Sequence, residues 1–403
     1  MSWRVDRVGA AGGNVVGTVG SGPVALLLAS HLDTSLSGSP ADDAAITGRS
    51  DPLPALRVDG ATVAGFGLGV ARGPAAAAVA GFLLAAAGRP QRSLQLLLAS
   101  AGTHRSALEG PVAAQGVRPA SSQGALAHLA TGPRPDAVVI AKCGPPAVLR
   151  AEPGACYLRL RVSGGWGAAL APASATPAGG ILTSTGTILA AVARWREAYV
   201  AARRGRADGI GGEAGIGALH AGSSQKPDLL PAVVDLRLYV VTVPGDDPAA
   251  LAVSLEEEVA AALPGIAVDV TAETLHAAGV TPADRPVVVA AVDAWTRHCG
   301  GPPTEVRDWT GSTDGVVFRG AGIDTVRLGP TSSPDPDDPR VDRLDLRRLD
   351  AFRDAYAEIA LRACERHTQA GSTTGRDQPR VELGAGEDPD VIHMGHATGW
   401  RPQ

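Results

Sequence analysis

Val24-Ala25-Leu26-Leu27-Leu28-Ala29-Ser30-His31-Leu32-Asp33-Thr34 passes from six apolar residues directly into a polar turn. The apolar part reads as a strand over Val24–Ala29, preceded by the breaker pair Gly22-Pro23. Outward from it, further strands are predicted at Asn14–Thr18, Leu94–Ala99 and Ala137–Ala141, with an Ala-rich helix over Pro74–Ala87 between them. Strand alternating with helix is an α/β layout. His31 and Asp33 then fall just past the carboxyl end of a strand, where open α/β sheets place their sites. A histidine with an aspartate two positions on can supply an imidazole ligand and a carboxylate that orients the site. The same pair is also common among plain surface residues.

The texture changes near Gly154. Cys156, Leu158, Leu160 and Val162 alternate with Tyr157, Arg159 and Arg161, which is strand periodicity. Ile188, Val192, Trp195 and Tyr199 follow helical spacing. A short strand around Ile216–Leu219, a strong one at Ala232–Val240, a helix through Leu251, Leu255, Val259 and Leu263, and a strand at Ile266–Val270 complete the order β-α-β-β-α-β. That order is ferredoxin-like and can close as a small domain of its own. The α/β texture resumes with a helix from Arg285 to His298, strands near Thr304–Asp308 and Asp324–Leu328, and a closing helix with Leu346, Leu349, Phe352, Tyr356 and Ile359 on one face. The expected organisation is therefore an α/β domain (residues 1–154 and 273–366) interrupted by an inserted ferredoxin-like domain (155–272). Residues 367–403, rich in Gly, Ser, Thr, Pro and acid, read as a disordered tail. His393 and His396 in it are read as solvated.

Bulk chemistry narrows the partners. With 36 Lys plus Arg against 41 Asp plus Glu, a formal charge of −5 and 3% aromatic residues, no basic stripe supports a nucleic-acid or membrane surface. Cys143, Cys156, Cys299 and Cys364 form no close ligand pair and read as buried free thiols. The apolar run Pro74–Ala87 is too short to span a bilayer. A cytoplasmic location is the expectation. Dinucleotide, Walker and nucleophile-elbow fingerprints do not occur.

Three more landmarks lie in order along the chain: Gly65-Phe66-Gly67-Leu68-Gly69-Val70-Ala71-Arg72-Gly73, Pro231 with Asp235-Leu236-Arg237, and Gly311-Ser312-Thr313-Asp314-Gly315 followed by Gly329-Pro330. With the inserted ferredoxin-like domain, this set resembles the M20 family of dinuclear-zinc aminoacylases, deacylases and peptidases, over Val5 to Cys364. The resemblance implies a zinc-peptidase-like catalytic domain carrying an inserted lid or dimerisation domain. It also implies an ancestral reaction in which two zinc ions activate a water, with a glutamate as general base, to hydrolyse an amide next to a carboxylate. Relatives carry one or two helices ahead of the first strand. Here Trp3 is already in strand-like sequence, so either the start is truncated or this branch has shed its cap.

Carried across position by position, the resemblance makes His31 the first zinc ligand and Asp33 its orienting aspartate. The bridging aspartate falls on Val70, the glutamate pair on or beside Gly102 and Thr103, the next carboxylate on Lys142, and the last histidine near Asp335. Between Asp59 and Glu109 there is no Asp or Glu at all, so neither bridge nor base can come from that interval. Arg72, His104, Arg105 and Lys142 would instead bring basic groups to the site. The expected site is metal-free, with His31, Asp33 and Lys142 as its chemical residues and His104 and Asp335 as the remaining candidates for a metal. By the same resemblance Arg237, Gly311, Ser312 and Thr313 hold the substrate's carboxylate and backbone, a task that suits the guanidinium fork. Pairing of Arg237 with an acid across the sheet is the alternative. Asp228 replaces the family's asparagine, and Ala168 the histidine lent to a partner's site. The function so implied is binding of a small carboxylate ligand, such as an N-acyl amino acid or dipeptide, or of a partner protein, with no cofactor. The alternative is an active enzyme of the same fold doing metal-independent or altered-metal amide or acyl chemistry on an N-acylated amino acid. A homodimer through the inserted domain follows from the resemblance alone.

Overall fold

The computed structural model describes residues 1–8, 12–103 and 122–365. His104, Arg105, His393, His396 and the expected tail lie outside them. The run Val24–His31 forms the strand expected of it, buried along its whole length. It sits near the middle of a six-stranded sheet in the order Ser2–Val8, Gly12–Val19, Ser93–Ala99, Val24–His31, Ala137–Ala141, Asp324–Leu328. The last four strands are parallel, and the first two are antiparallel additions at one edge. Leu26, Leu27 and Leu28 are closed off from solvent because both faces of a parallel sheet are covered, so such strands carry apolar runs rather than alternation.

One covering layer is made by the helices Gly73–Ala87, Pro286–His298 and Leu346–Cys364, whose Phe82, Trp295, Phe352 and Tyr356 meet Leu26, Leu28, Leu94 and Leu96 in one core. The Ala-rich composition of the first of these has a packing reason. A Cβ on Gly81 would stand 2.7 Å from the Arg353 carbonyl oxygen and 2.9 Å from the Tyr356 Cβ, so only small residues let this helix lie so close to the closing one. Taken with the irregular turn before it, Leu68–Ala87 is 20 residues long and apolar enough to cross a membrane by length and composition. Ala75, Ala77, Ala78, Phe82 and Ala85 are buried in the core.

Residues 154–276 make a second, fully antiparallel sheet, Glu213–Ala221, Val233–Thr242, Gly154–Ser163, Ala267–His276. The helices Thr185–Ala201 and Pro248–Ala262 share a core with one of its faces. This is the ferredoxin-like arrangement, and the fold class is as expected: a mixed α/β sheet with an inserted antiparallel lid.

Two features differ from expectation. No strand forms over Thr304–Asp308, where the chain is irregular. Pro302 and Pro303 have no amide to donate, Asp308 adopts φ 52°, and only Trp309 bridges, to Ile210. A small unanticipated sheet joins Arg57–Asp59, Thr62–Phe66, Val341–Asp345 and Ser333–Pro334 and carries the glycine-rich turn. Gly67 there has φ 69°, and a Cβ on it would meet the Thr34 methyl at 2.4 Å. Glycine is required on both counts.

Candidate functional site

The carboxyl ends of four parallel strands deliver Ala99, His31, Ala141 and Leu328 to one edge of the main sheet, and the site is built from these strand ends and the loops just beyond them. His31 is 3% exposed. Its Nδ1 lies 2.9 Å from the Asp33 carbonyl oxygen and 3.4 Å from Asp33 Oδ1. Both neighbours are acceptors, so in a neutral ring the proton belongs on Nδ1 and the lone pair on Nε2. Nε2 is buried with no hydrogen-bond partner.

Asp33 does more than orient this ring. The Gly102 amide donates to its Oδ1 at 2.9 Å, and the Thr103 amide and hydroxyl donate to its Oδ2 at 2.7 and 2.6 Å. Burial works against its ionisation. The hydrogen bonds from His31, Thr103 and Gly102 outweigh it and hold the carboxyl well below the usual carboxylate range. A Cβ on Gly102 would stand 2.7 Å from His31 Cβ and 3.2 Å from Asp314 Oδ2. The positions to which the resemblance assigns the glutamate pair are thus occupied by a backbone loop wrapped around Asp33.

Asp314, inside the Gly311–Gly315 segment, closes the other side. It is 4% exposed, and its Oδ1 has no hydrogen-bond partner. Burial raises its carboxyl above the ordinary range, against the pull of His31 and Lys142. Lys142 comes directly after the strand Ala137–Ala141. Its amide donates to the Leu328 carbonyl, and Gly329 lies so close that a Cβ there would be 2.2 Å from the Lys142 carbonyl oxygen. Burial and the neighbouring Arg327 charge push the Lys142 amine down to about 8, with Asp314, Glu152 and Asp33 pulling the other way.

Beneath these residues is a buried charge network that the sequence does not single out. Glu152 is 0% exposed. Its Oε1 accepts from the Thr313 hydroxyl at 2.6 Å, its Oε2 pairs with Arg319, and Arg327 Nη1 is 3.7 Å from Oε1. Arg319 also donates to the Thr325 carbonyl, and Arg327 to the Cys143 carbonyl, with its guanidinium 5.0 Å from the Trp309 ring centre. The signal available in sequence was a lone acid between Ala151 and Pro153, with no other Asp or Glu from Ala137 to Ala207 save Glu197.

Of the other expected site residues, Thr313 is held by Glu152. Gly311 packs against the Trp309 ring. Ser312 Oγ is 3.2 Å from His276 Nε2 at the end of the lid's last strand, and burial pushes that imidazole down to about 4, so it is neutral at pH 7. Arg237 lies on the sheet face opposite the lid helices, 3.2 Å from Asp235 on its own strand, with Arg159 2.8 Å from the same carboxylate. Asp335 pairs with Arg57 at 2.8 Å and accepts the Asp337 amide. Val70 lies in the irregular turn Leu68–Arg72 and offers no ligating atom.

The side chains of the described residues do not fit the dinuclear zinc centre that the resemblance implies. Among the described residues, no three His, Cys, Asp or Glu side chains gather where they could hold a metal ion. Asp33 and Asp335 are committed to other donors, and the positive charge of Lys142 acts on Asp314. Two dications need carboxylates there.

No family model matches the sequence, and no curated protein matches it. Solved structures do. The chain is similar to a dipeptidase from Saccharomyces cerevisiae (13% identity, 91% of this chain and 88% of that one, TM-score 0.62). It is also similar to a tripeptidase from Staphylococcus aureus (16%, 90% and 88%, 0.61). A third match is an M20 family metallo-carboxypeptidase from Sulfolobus solfataricus (12%, 90% and 90%, 0.60). The chain thus has the M20 metallopeptidase fold across about 90% of its length.

Proposed function

We propose that this chain, built on the M20 metallopeptidase fold, has lost dinuclear-zinc hydrolysis and binds a small carboxylate-bearing, peptide-like ligand such as an N-acyl amino acid or dipeptide. The observation that carries this reading is the fate of Asp33, whose two carboxylate oxygens are taken by three donors from Gly102 and Thr103, the positions that the resemblance assigns to the catalytic glutamates. Lys142 supports it, since it replaces a ligand carboxylate with a cation that repels zinc and attracts an anionic ligand. The dipeptidase and tripeptidase among the solved relatives support a peptide-like ligand. A cytoplasmic location and a homodimer through the lid belong to the same proposal.

A thermal-shift screen of dipeptides and N-acyl amino acids tests it, because a ligand that binds only the folded state raises the melting temperature. A stabilising ligand that is not turned over is the expected result. Turnover abolished by a chelator would contradict it. Within that screen Arg237→Ala is expected to weaken a carboxylate ligand by about 1.5–3 kcal/mol, the range for hydrogen bonds to charged groups. Unchanged affinity would remove Arg237 from the ligand site.

Metal-independent chemistry at the same site is a second reading. It is favoured by the place of Lys142 directly after the strand Ala137–Ala141, at the same sheet edge as His31, with the Asp314 charge acting on its amine.

A further inference from the structure

The strand Ser2–Val8 ends the six-stranded sheet, and among the described residues Gly12–Val19 is its one neighbour there. Its pairing with that neighbour is regular from Ser2 to Val8, with no bulge, and it carries no proline. Among the described residues, no backbone hydrogen bond runs from residues 2–8 to any other segment. The outward amides and carbonyls therefore form an intact edge, and side chains on it are open to solvent: Val5 is 71% exposed and Trp3 45%. Such an edge is a template to which another strand can add.

Successive side chains of a strand point to opposite faces. Ser2, Arg4, Asp6 and Val8 share one face, and Trp3, Val5 and Arg7 share the other, on which Trp3 meets the Phe82 ring edge-on with 5.6 Å between centres. Arg4 and Asp6 lie side by side on their face, 2.9 Å apart. Charges on an edge strand ordinarily keep other strands away. The order of these charges does the reverse for one particular partner, a strand of the same sequence running the opposite way.

We propose that a second copy of this chain pairs antiparallel with Ser2–Val8 across a two-fold axis at Val5, joining the two six-stranded sheets into one. In that register Arg4 stands opposite Asp6 of the second copy, and Asp6 opposite Arg4 of the second copy. With the pair already present in each chain, the four charges then alternate in sign around a square. On the other face Val5 meets its own counterpart, and each Trp3 stands opposite an Arg7, which allows a guanidinium to lie on the indole. Neighbouring registers are worse. A slip of one residue would set side chains of opposite faces against each other. An axis at Arg4 would place two arginines opposite one another, and an axis at Asp6 two aspartates, both of which are destabilising. Because the same patch is used by both copies, the contact closes on itself as a dimer. It lies on the main sheet, apart from the lid, and does not depend on what the site binds.

Sedimentation velocity of the full-length protein over a concentration series tests this, with the folding of each variant checked by circular dichroism. The parent protein is expected to self-associate. Arg4→Asp and Asp6→Arg each set like charges opposite one another, and each should weaken that association on the order of tenfold. The double variant Arg4→Asp/Asp6→Arg exchanges the signs and should restore it. An equimolar mixture of the two single variants should also associate, since one edge is then wholly acidic at these positions and the other wholly basic. A parent protein that stays monomeric would overturn the proposal. So would an association that neither single variant weakens, because the contact then lies on another face. A loss that neither the double variant nor the mixture restores would overturn it as well, leaving Arg4 and Asp6 as partners within one chain.

Discussion

Glu152→Ala is expected to destabilise the protein by roughly 3–5 kcal/mol, the cost of removing one partner from a buried ion pair. The side chain is completely enclosed, and Arg319 and Arg327 are nearly so. Two guanidinium groups would be left without their carboxylate, and the Thr313 hydroxyl without its acceptor. Glu152→Gln keeps the shape and an acceptor for Thr313 but not the charge, and should still lose a large part of the stability. Urea unfolding read by circular dichroism measures both variants. A loss below about 1 kcal/mol, the scale of an exposed pair, would show that the network does not hold the floor of the site.

The second large effect is expected at Asp33. Asp33→Ala removes the acceptor for two backbone amides and a hydroxyl, and the acid beside His31 Nδ1. Hydrogen bonds to a charged group are each worth about 1.5–3 kcal/mol and do not simply add. A loss of roughly 3 kcal/mol is therefore expected. The sign with pH comes from the depressed carboxyl. Its pKa is lower folded than unfolded, so its contribution is complete above the unfolded value of about 3.9 and is lost as pH falls through the folded one. Urea midpoints should therefore drop more steeply below about pH 4 in the parent protein than in Asp33→Ala. Parallel curves would remove Asp33 from the acid response.

Much of the scaffold was legible because it is written in periodicity. The unbroken run Val24–Ala29 announced a buried parallel strand, and the alternation Cys156, Leu158, Leu160, Val162 announced a sheet with one covered face. What was not legible depends on contacts distant in sequence. The small sheet joins Thr62–Phe66 to Val341–Asp345, and nothing local in either segment names the other. Thr304–Asp308 carries the β-prone Thr304 and Val306, yet Pro302 and Pro303 ahead of it and the left-handed Asp308 keep it out of any sheet.

The site divides in the same way. His31 and Asp33 were readable from their place after a strand, and the missing carboxylates from the acid-free interval between Asp59 and Glu109. That Gly102 and Thr103 turn their amides onto Asp33 could be seen only in three dimensions. So could the burial of Glu152 beneath Thr313, which is joined across 161 positions of sequence. The sequence around His31 carries the resemblance to a ligand, and its neighbourhood in space is the Asp33 carboxylate, the Gly102 backbone and the enclosed Asp314.

The most direct test is calorimetric titration of chelator-treated full-length protein with zinc, paired with elemental analysis of the protein as purified. The account predicts no stoichiometric zinc as purified and no tight binding isotherm. One or two zinc ions bound tightly per chain, and lost in His31→Ala, would contradict it.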